Sequence, residues 1–345
     1  MTLTKTHQTQ EEIHVVLSPW DLSDSYNRHA GVTIESLLEH CSLPTTIHLL
    51  HDERLGSDED EGVEFNKSCY NEIVENYNSK LQFHHVELPD WVDEMPATKQ
   101  FTAGTLLRLQ LPELLPNIDK VLYLDCDMVV LTDISKLWNT NLDKYYLGAC
   151  IDTGFASLGN ITKKYWKNRG IPTDNYFNAG MLLLNLNKLR ESSFSQKAFN
   201  YLNKHRDVQL LDQDVLNWFC QDEYLMLDEK YNIFTHRNDA ENYLDDCILH
   251  YTSGGRKPWN VYSGPIDNYY WKYLIKTPWC KTEQQMIDYI REAPDINKSR
   301  QLLSKNFPTY LNGTNLHKLY TSLKFTYIMW KSIFWKGIEI LKHSL

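Results

Sequence analysis

The chain has 345 residues, of which 42% are hydrophobic and 12% aromatic, enough to bury a sizeable core and too apolar for a disordered polymer. Its formal net charge of −10 argues against a nucleic-acid partner, because phosphate backbones are held by clustered Lys and Arg. That average hides an asymmetry, since residues 296–345 carry eight Lys or Arg against one Glu, a net +7 that leaves −17 on the rest.

Residues 1–12 lack the apolar region of a secretory signal and read as a flexible N-terminus. Residues 13–17 form an apolar β-rich run that Ser18-Pro19 should stop, and residues 31–39 show helical spacing through Val32, Ile34, Leu37 and Leu38. Strand-like runs at 46–50 and 81–86 flank a polar helix near 63–78. A helix near 102–111 precedes the buried-strand run Val121-Leu122-Tyr123-Leu124, and residues 128–131 follow just beyond Asp125-Cys126-Asp127. Strands are expected at 145–151 and 180–186, helical spacing covers 188–204 and 213–219, and a last apolar run, Cys247-Ile248-Leu249, ends on His250. Repeated β-α-β units predict an α/β fold with a mostly parallel central sheet and flanking helices. No repeat or low-complexity linker precedes about residue 295, so one catalytic domain over 13–295 and a tail over 296–345 are expected. The seven cysteines are scattered without a C-x-x-C pair, the pattern of reduced thiols in a cytoplasm.

Asp-x-Asp occurs three times, as Asp58/Asp60, Asp125/Asp127 and Asp212/Asp214. The first lies in the acidic run SDEDE and reads as a solvated charge stretch. Asp125/Asp127 instead leaves the carboxyl end of VLYL, where ligands of open α/β sheets bind. In an extended segment, residues two apart project to one side, so both carboxylates can reach one cation. Hard oxygen ligands suit Mg²⁺ or Mn²⁺ bridging a pyrophosphate. The competing reading is an Asp-rich turn that caps the next segment. His250 is followed by TSGGRKPW, in which Gly254 and Gly255 allow close backbone approach to a phosphate and Lys257 supplies a point charge.

Together, Asp125-Cys126-Asp127 after VLYL, Tyr176-Phe177-Asn178-Ala179-Gly180 before MLLLNL, Asp212-Gln213-Asp214-Val215-Leu216-Asn217, and His250 with Lys257-Pro258-Trp259 resemble glycosyltransferase family 8. The family contains bacterial lipopolysaccharide galactosyl- and glucosyltransferases and glycogenin. The resemblance implies a GT-A fold, a UDP-hexose donor, Mn²⁺ with Mg²⁺ as the alternative, and retention of anomeric configuration. It makes Asp125, Asp127 and His250 the metal ligands. Arg108, in TLLRLQL, would lie near the donor, as would Cys126, with Lys257 and Gly255 at its diphosphate and Ser18 and Tyr26 at its uridine. Asn178, Ala179, Asp152, Asp212 and Gln213 would surround the transferred sugar. The stretch Ser18–Tyr26 is longer than the usual family segment, and His250 to Lys257 is one residue longer than the commonest spacing.

A neutral amide is a poor nucleophile, so Gln213 is expected to support the sugar during same-face substitution, with Asp152 or Asp212 orienting hydroxyls. The alternatives are a nucleotidyltransferase-like pyrophosphate enzyme, which lacks its Gly-rich, Lys-bearing loop after Leu17, and a non-catalytic sugar-nucleotide-binding protein on the same fold. In the tail, Leu323, Tyr327, Trp330, Phe334 and Leu341 share one helical face, and Lys324, Lys331 and Lys342 form a separate stripe. This pattern predicts a peripheral contact with the inner face of the cytoplasmic membrane, close to a glycan or glycolipid acceptor. The rival reading is a helix packed on protein.

Overall fold

The computed structural model describes residues 12–52, 61–99, 101–221, 223–252, 256–261 and 264–292. The flexible segment expected before Glu12, Asp58/Asp60, Gly255 and the tail over 296–345 lie outside the described residues. The chain divides into two compact units, one running to Ile233 and taking in Asn242–His250, the other comprising Phe234–Glu241 and the chain from Tyr251.

Ten strands are described: β1 (Ile13–Trp20), β2 (Thr45–His51), β3 (Lys80–His85), β4 (Lys120–Leu124), β5 (Met128–Val130), β6 (Leu147–Ile151), β7 (Phe177–Asn185), β8 (Tyr224–Met226), β9 (Ile233–Phe234) and β10 (Ile248–His250). Seven of them form a central sheet in the order β3-β2-β1-β4-β7-β6-β8. All neighbours run parallel except those of β7, which is antiparallel to β4 and β6. Eight of the nine β7 residues are buried, as their apolar run requires of a strand covered on both faces. The sheet therefore matches the mostly parallel expectation, with one reversed strand in its middle.

β1 does not stop at Ser18-Pro19. The strand slips register between Leu17 and Trp20 and continues to Trp20, which has a φ of 71°. Proline, lacking a backbone donor, is accommodated at such an irregularity. Ser18 Oγ donates to the Gly104 carbonyl at 3.0 Å, pinning the 3-10 helix Ala103–Gln110 against the strand. A Cβ on Gly104 would stand 2.6 Å from Trp20 Cβ, so this close approach requires glycine. The helical spacing over 188–204 divides into Leu186–Glu191 and Phe194–Lys204, separated at Ser193 with φ 54°.

The core on one sheet face joins Val16, Leu50, Tyr123 and Leu182 to Leu106, Leu107 and Leu109 of the 3-10 helix and Val215 and Leu216 of the Leu211–Cys220 helix. On the other face, the Asn27–His40 helix reaches β5 through Thr33, whose hydroxyl donates to the Met128 carbonyl at 2.8 Å, and Ser36, which accepts from Val130 N–H at 3.0 Å. The second unit has an aromatic core of its own, with Tyr251, Tyr270 and Trp271 buried and the Tyr251 hydroxyl donating to the Ile266 carbonyl at 3.0 Å. Among the described residues no helix is long and apolar enough to cross a membrane.

Candidate active site

Two ladders assemble the site. Along β4 and β7, Leu124 stands opposite Met181, and the next step places the Asp125 N–H on the Gly180 carbonyl at 2.8 Å. Along β5 and β10, His250 stands opposite Met128, the residue after Asp127. Cys126 and Asp127 form the turn that carries the chain from the first ladder to the second, so the segment is not extended throughout. The carboxylates converge because a turn, rather than a flat strand, presents them to His250.

Asp125, Asp127 and His250 each offer a ligand atom, and these atoms lie within 4.8 Å of one another. His250 Nε2 is 3.2 Å from Asp127 Oδ1 and 3.7 Å from Asp125 Oδ2. The volume beside them is kept by Gly180. A Cβ there would come within 2.3 Å of His250 Cε1 and 2.8 Å of Asp125 Oδ2. Two carboxylate oxygens and one imidazole are a donor set that fits a divalent cation. His250 Nδ1 lies 2.8 Å from Asn232 Oδ1, a contact that no sequence motif marked. Asn232, in the unremarkable run Glu229-Lys230-Tyr231-Asn232, carries no signal of its own.

Arg108 is buried behind the cluster. Its guanidinium donates to Asp125 Oδ1 at 2.8 Å and to the Ala179 carbonyl at 2.6 Å, and its Nε is 3.3 Å from Asp212 Oδ2. It also lies over the Tyr123 ring, 4.0 Å from the centroid. Burial opposes the Arg108 charge, but Asp212, Tyr123 and Asp125 outweigh it and raise the pKa. Asp212 is pushed up to about 6, first by burial, with Arg108 holding it back. Arg108 thus ties together one carboxylate of the cluster and the acidic start of the Leu211–Cys220 helix.

Four of the five sugar-side candidates form one network, whereas Asp212 faces Arg108. Gln213 Oε1 accepts from Ala179 N–H at 2.9 Å and from Asn178 Nδ2 at 3.0 Å, while Gln213 Nε2 donates to Asp152 Oδ2 at 3.0 Å. Asp152 Oδ2 also accepts from Asn178 Nδ2 at 3.2 Å, and its Oδ1 caps the Thr153–Ala156 helix through Phe155 N–H at 2.8 Å. Asp214, one residue beyond, is fully buried and accepts from Trp166 Nε1 at 2.7 Å, Tyr176 hydroxyl at 2.6 Å, and Gln209 and Leu210 N–H at 3.1 Å each.

Tyr26 precedes the Asn27–His40 helix, and its phenol is raised well above normal by loss of hydration and then by the charges of Asp127 and Asp125. The Cys126 side chain is buried, and burial pushes its thiol far up, with both flanking carboxylates adding to the shift. Ser18 spends its hydroxyl on Gly104. Lys257 belongs to the second unit, where its Nζ is 5.8 Å from the centroid of the Trp259 ring.

Residues 20–262 match the family model of Glycosyl transferase family 8. A putative glycosyltransferase of Haemophilus influenzae is 31% identical over 208 residues, covering 60% of each chain. The lipopolysaccharide 1,3-galactosyltransferase of Salmonella typhimurium is 25% identical over 225 residues, covering 60% of this chain and 64% of that one. The chain therefore spans less than two thirds of these two relatives. The structure of a galactosyltransferase, LgtC, in complex with donor and acceptor sugar analogues superposes with a TM-score of 0.63 at 22% identity, covering 77% of this chain and 96% of that one. The shared fold is the GT-A type expected from the sequence motifs.

Proposed function

The chain belongs to glycosyltransferase family 8, and from that premise we propose that it moves a hexose, galactose or glucose, from a UDP-sugar to a hydroxyl of a glycan or glycolipid. The observation that carries this reading is the convergence of Asp125, Asp127 and His250 around the volume that Gly180 keeps open. Those three residues would hold Mn²⁺ or Mg²⁺, which when bound supplies positive charge to a departing diphosphate. Arg108 fixes Asp125 from behind and balances the carboxylates. Lys257 and Gly255 meet the diphosphate, Ser18 and Tyr26 border the uridine, and Cys126 lies near the donor.

Transfer breaks the bond between the anomeric carbon and the diphosphate oxygen and forms one to the acceptor oxygen on the same face, with the acceptor proton passing to the leaving diphosphate. Gln213 supports the sugar rather than attacking it. Its amide oxygen already accepts two hydrogen bonds and its amide nitrogen gives one to Asp152, an arrangement that favours a fixed dipole over a nucleophile. Asp152, Asp212, Asn178 and Ala179 orient donor and acceptor hydroxyls.

The name of the Salmonella relative supports lipopolysaccharide, or another cell-surface glycoconjugate, as the acceptor class. The basic, aromatic composition of residues 296–345 supports a peripheral location on the inner face of the cytoplasmic membrane. The test incubates the purified chain with a panel of UDP-sugars and Mn²⁺ and measures UDP release with and without candidate acceptors. One UDP-hexose should be consumed, faster with acceptor and not at all in EDTA. Full turnover in EDTA, or release of UDP from no member of the panel, overturns the reading.

A further inference from the structure

We propose that Asn232 is a positioning residue that fixes the proton of His250 on Nδ1 and thereby turns the Nε2 lone pair toward Asp125 and Asp127. The proposal rests on reading those three residues as cation ligands. It adds a residue that lies outside every motif and acts on the cation only through His250.

The argument starts from a main-chain donor, which cannot be flipped. The Gly180 N–H lies 2.9 Å from Asn178 Oδ1, so that atom must be the amide oxygen. The Asn232 atom 2.8 Å from the same oxygen must then be the amide nitrogen, because two carbonyl oxygens would repel. That choice leaves Asn232 Oδ1 facing His250 Nδ1 at 2.8 Å. An amide oxygen only accepts, so Nδ1 carries the proton. In a ring with one proton, Nε2 then presents its lone pair, 3.2 Å from Asp127 Oδ1 and 3.7 Å from Asp125 Oδ2.

A second main-chain donor locks the far side of Asn178. Ala179 N–H donates to Gln213 Oε1, and Asn178 Nδ2 donates to that oxygen and to Asp152 Oδ2. Two consecutive N–H groups of β7 therefore set three side-chain amides and, through Asn232, one imidazole. Asn178, Asn232 and His250 are all buried, so water offers no alternative partner for a flipped amide. The Asn232 oxygen is the contact of this chain that holds the proton on Nδ1, and a proton moved to Nε2 would face the carboxylates in place of the cation. Losing such an outer contact to a ligating histidine typically weakens metal binding by about 10- to 100-fold.

The experiment uses the full chain, Asn232→Ala and Asn232→Asp. Mn²⁺ affinity is measured by calorimetric titration, and the His250 tautomer by ¹⁵N–¹H NMR of histidine-labelled metal-free protein, the signal being assigned by its loss in His250→Gln. Wild type should show the proton on Nδ1. Asn232→Ala should show a mixture of tautomers and bind Mn²⁺ about 10- to 100-fold more weakly. Asn232→Asp, which keeps an oxygen at Nδ1 but sets its second oxygen against Asn178 Oδ1, should restore the proton on Nδ1 and only part of the affinity. A folded Asn232→Ala with unchanged tautomer and affinity overturns the proposal, as does a wild-type ring protonated on Nε2 and not on Nδ1. Should Asn232→Ala not fold, Asn232→Asp decides alone, since an Nε2-protonated ring in it refutes the role of the oxygen. Wild type that binds no Mn²⁺ removes the cation reading, whereas the ring spectra of the variants still judge Asn232.

Discussion

At the carboxyl end of β4, two aspartates two residues apart converge with His250 to within 4.8 Å, whereas at the start of the Leu211–Cys220 helix two aspartates with the same spacing serve separate partners. Successive residues of a helix are rotated by about 100°, so positions two apart point to nearly opposite sides. Asp212 accordingly faces Arg108, and Asp214 faces Trp166, Tyr176 and the Gln209-Leu210 backbone. The strand-end pair sits in a turn between two ladders and shares one volume. An Asp-x-Asp pattern therefore acquires its chemistry from the element that follows it: a strand turn gathers two charges, and a helix start divides them.

The contrast is sharpest in the first pair. Asp127→Asn should lower transfer by about a thousand-fold and abolish tight Mn²⁺ binding with little change in the unfolding midpoint, measured by UDP release and denaturant titration. Retention of most activity would break the distinction. In the helical pair the expected loss is of stability. Asp214→Asn sets an NH₂ group against two of four buried donors and should cost about 3 kcal/mol in urea unfolding, while the folded fraction binds Mn²⁺ within about twofold of wild type. A collapse of Mn²⁺ affinity with intact stability would move Asp214 into the cation site.

Asp212 gives the smallest effect and a pH signature. Burial raises its pKa to about 6, so it is charged above that pH and takes up a proton below it. Once neutral, it leaves the Arg108 charge less balanced beside Asp125, which opposes cation binding. The ratio of wild-type to Asp212→Asn Mn²⁺ affinity should therefore rise through about pH 6 and level off above it, by up to roughly tenfold. Taking the ratio removes titrations common to both proteins. A ratio that is flat from pH 5 to 8 would show that Asp212 does not communicate with the cluster.

Short local patterns were the legible part. VLYL before Asp125, the Asn178-Ala179-Gly180 entry to β7, and His250 after Cys247-Ile248-Leu249 each announce themselves within a few residues, and the alternation of apolar runs gave the parallel β3-β2-β1-β4 half of the sheet. What stayed hidden depends on contacts distant in sequence. The antiparallel course of β7 leaves no local trace, because a strand buried on both faces is apolar in either direction. Asn232 acts only through Asn178 and His250, 54 and 18 residues away. Arg108, expected near the donor, also contacts Asp125, Ala179 and Asp212, a role for which a helical sequence has no mark.

The order in which the site's parts occur along the chain has a consequence for synthesis. Arg108 emerges from the ribosome before Asp125 and Asp127, Gly180 and Gln213 follow, and Asn232 and His250 come last among the residues of the network. A chain that has not reached Asn232 can pair β4 with β7 and hold both carboxylates, but it lacks the His250 imidazole and the Asn232 amide that orients it. A nascent chain would thus gain the ability to hold a cation only as its first compact unit is completed, since His250 is also the last residue that unit contains.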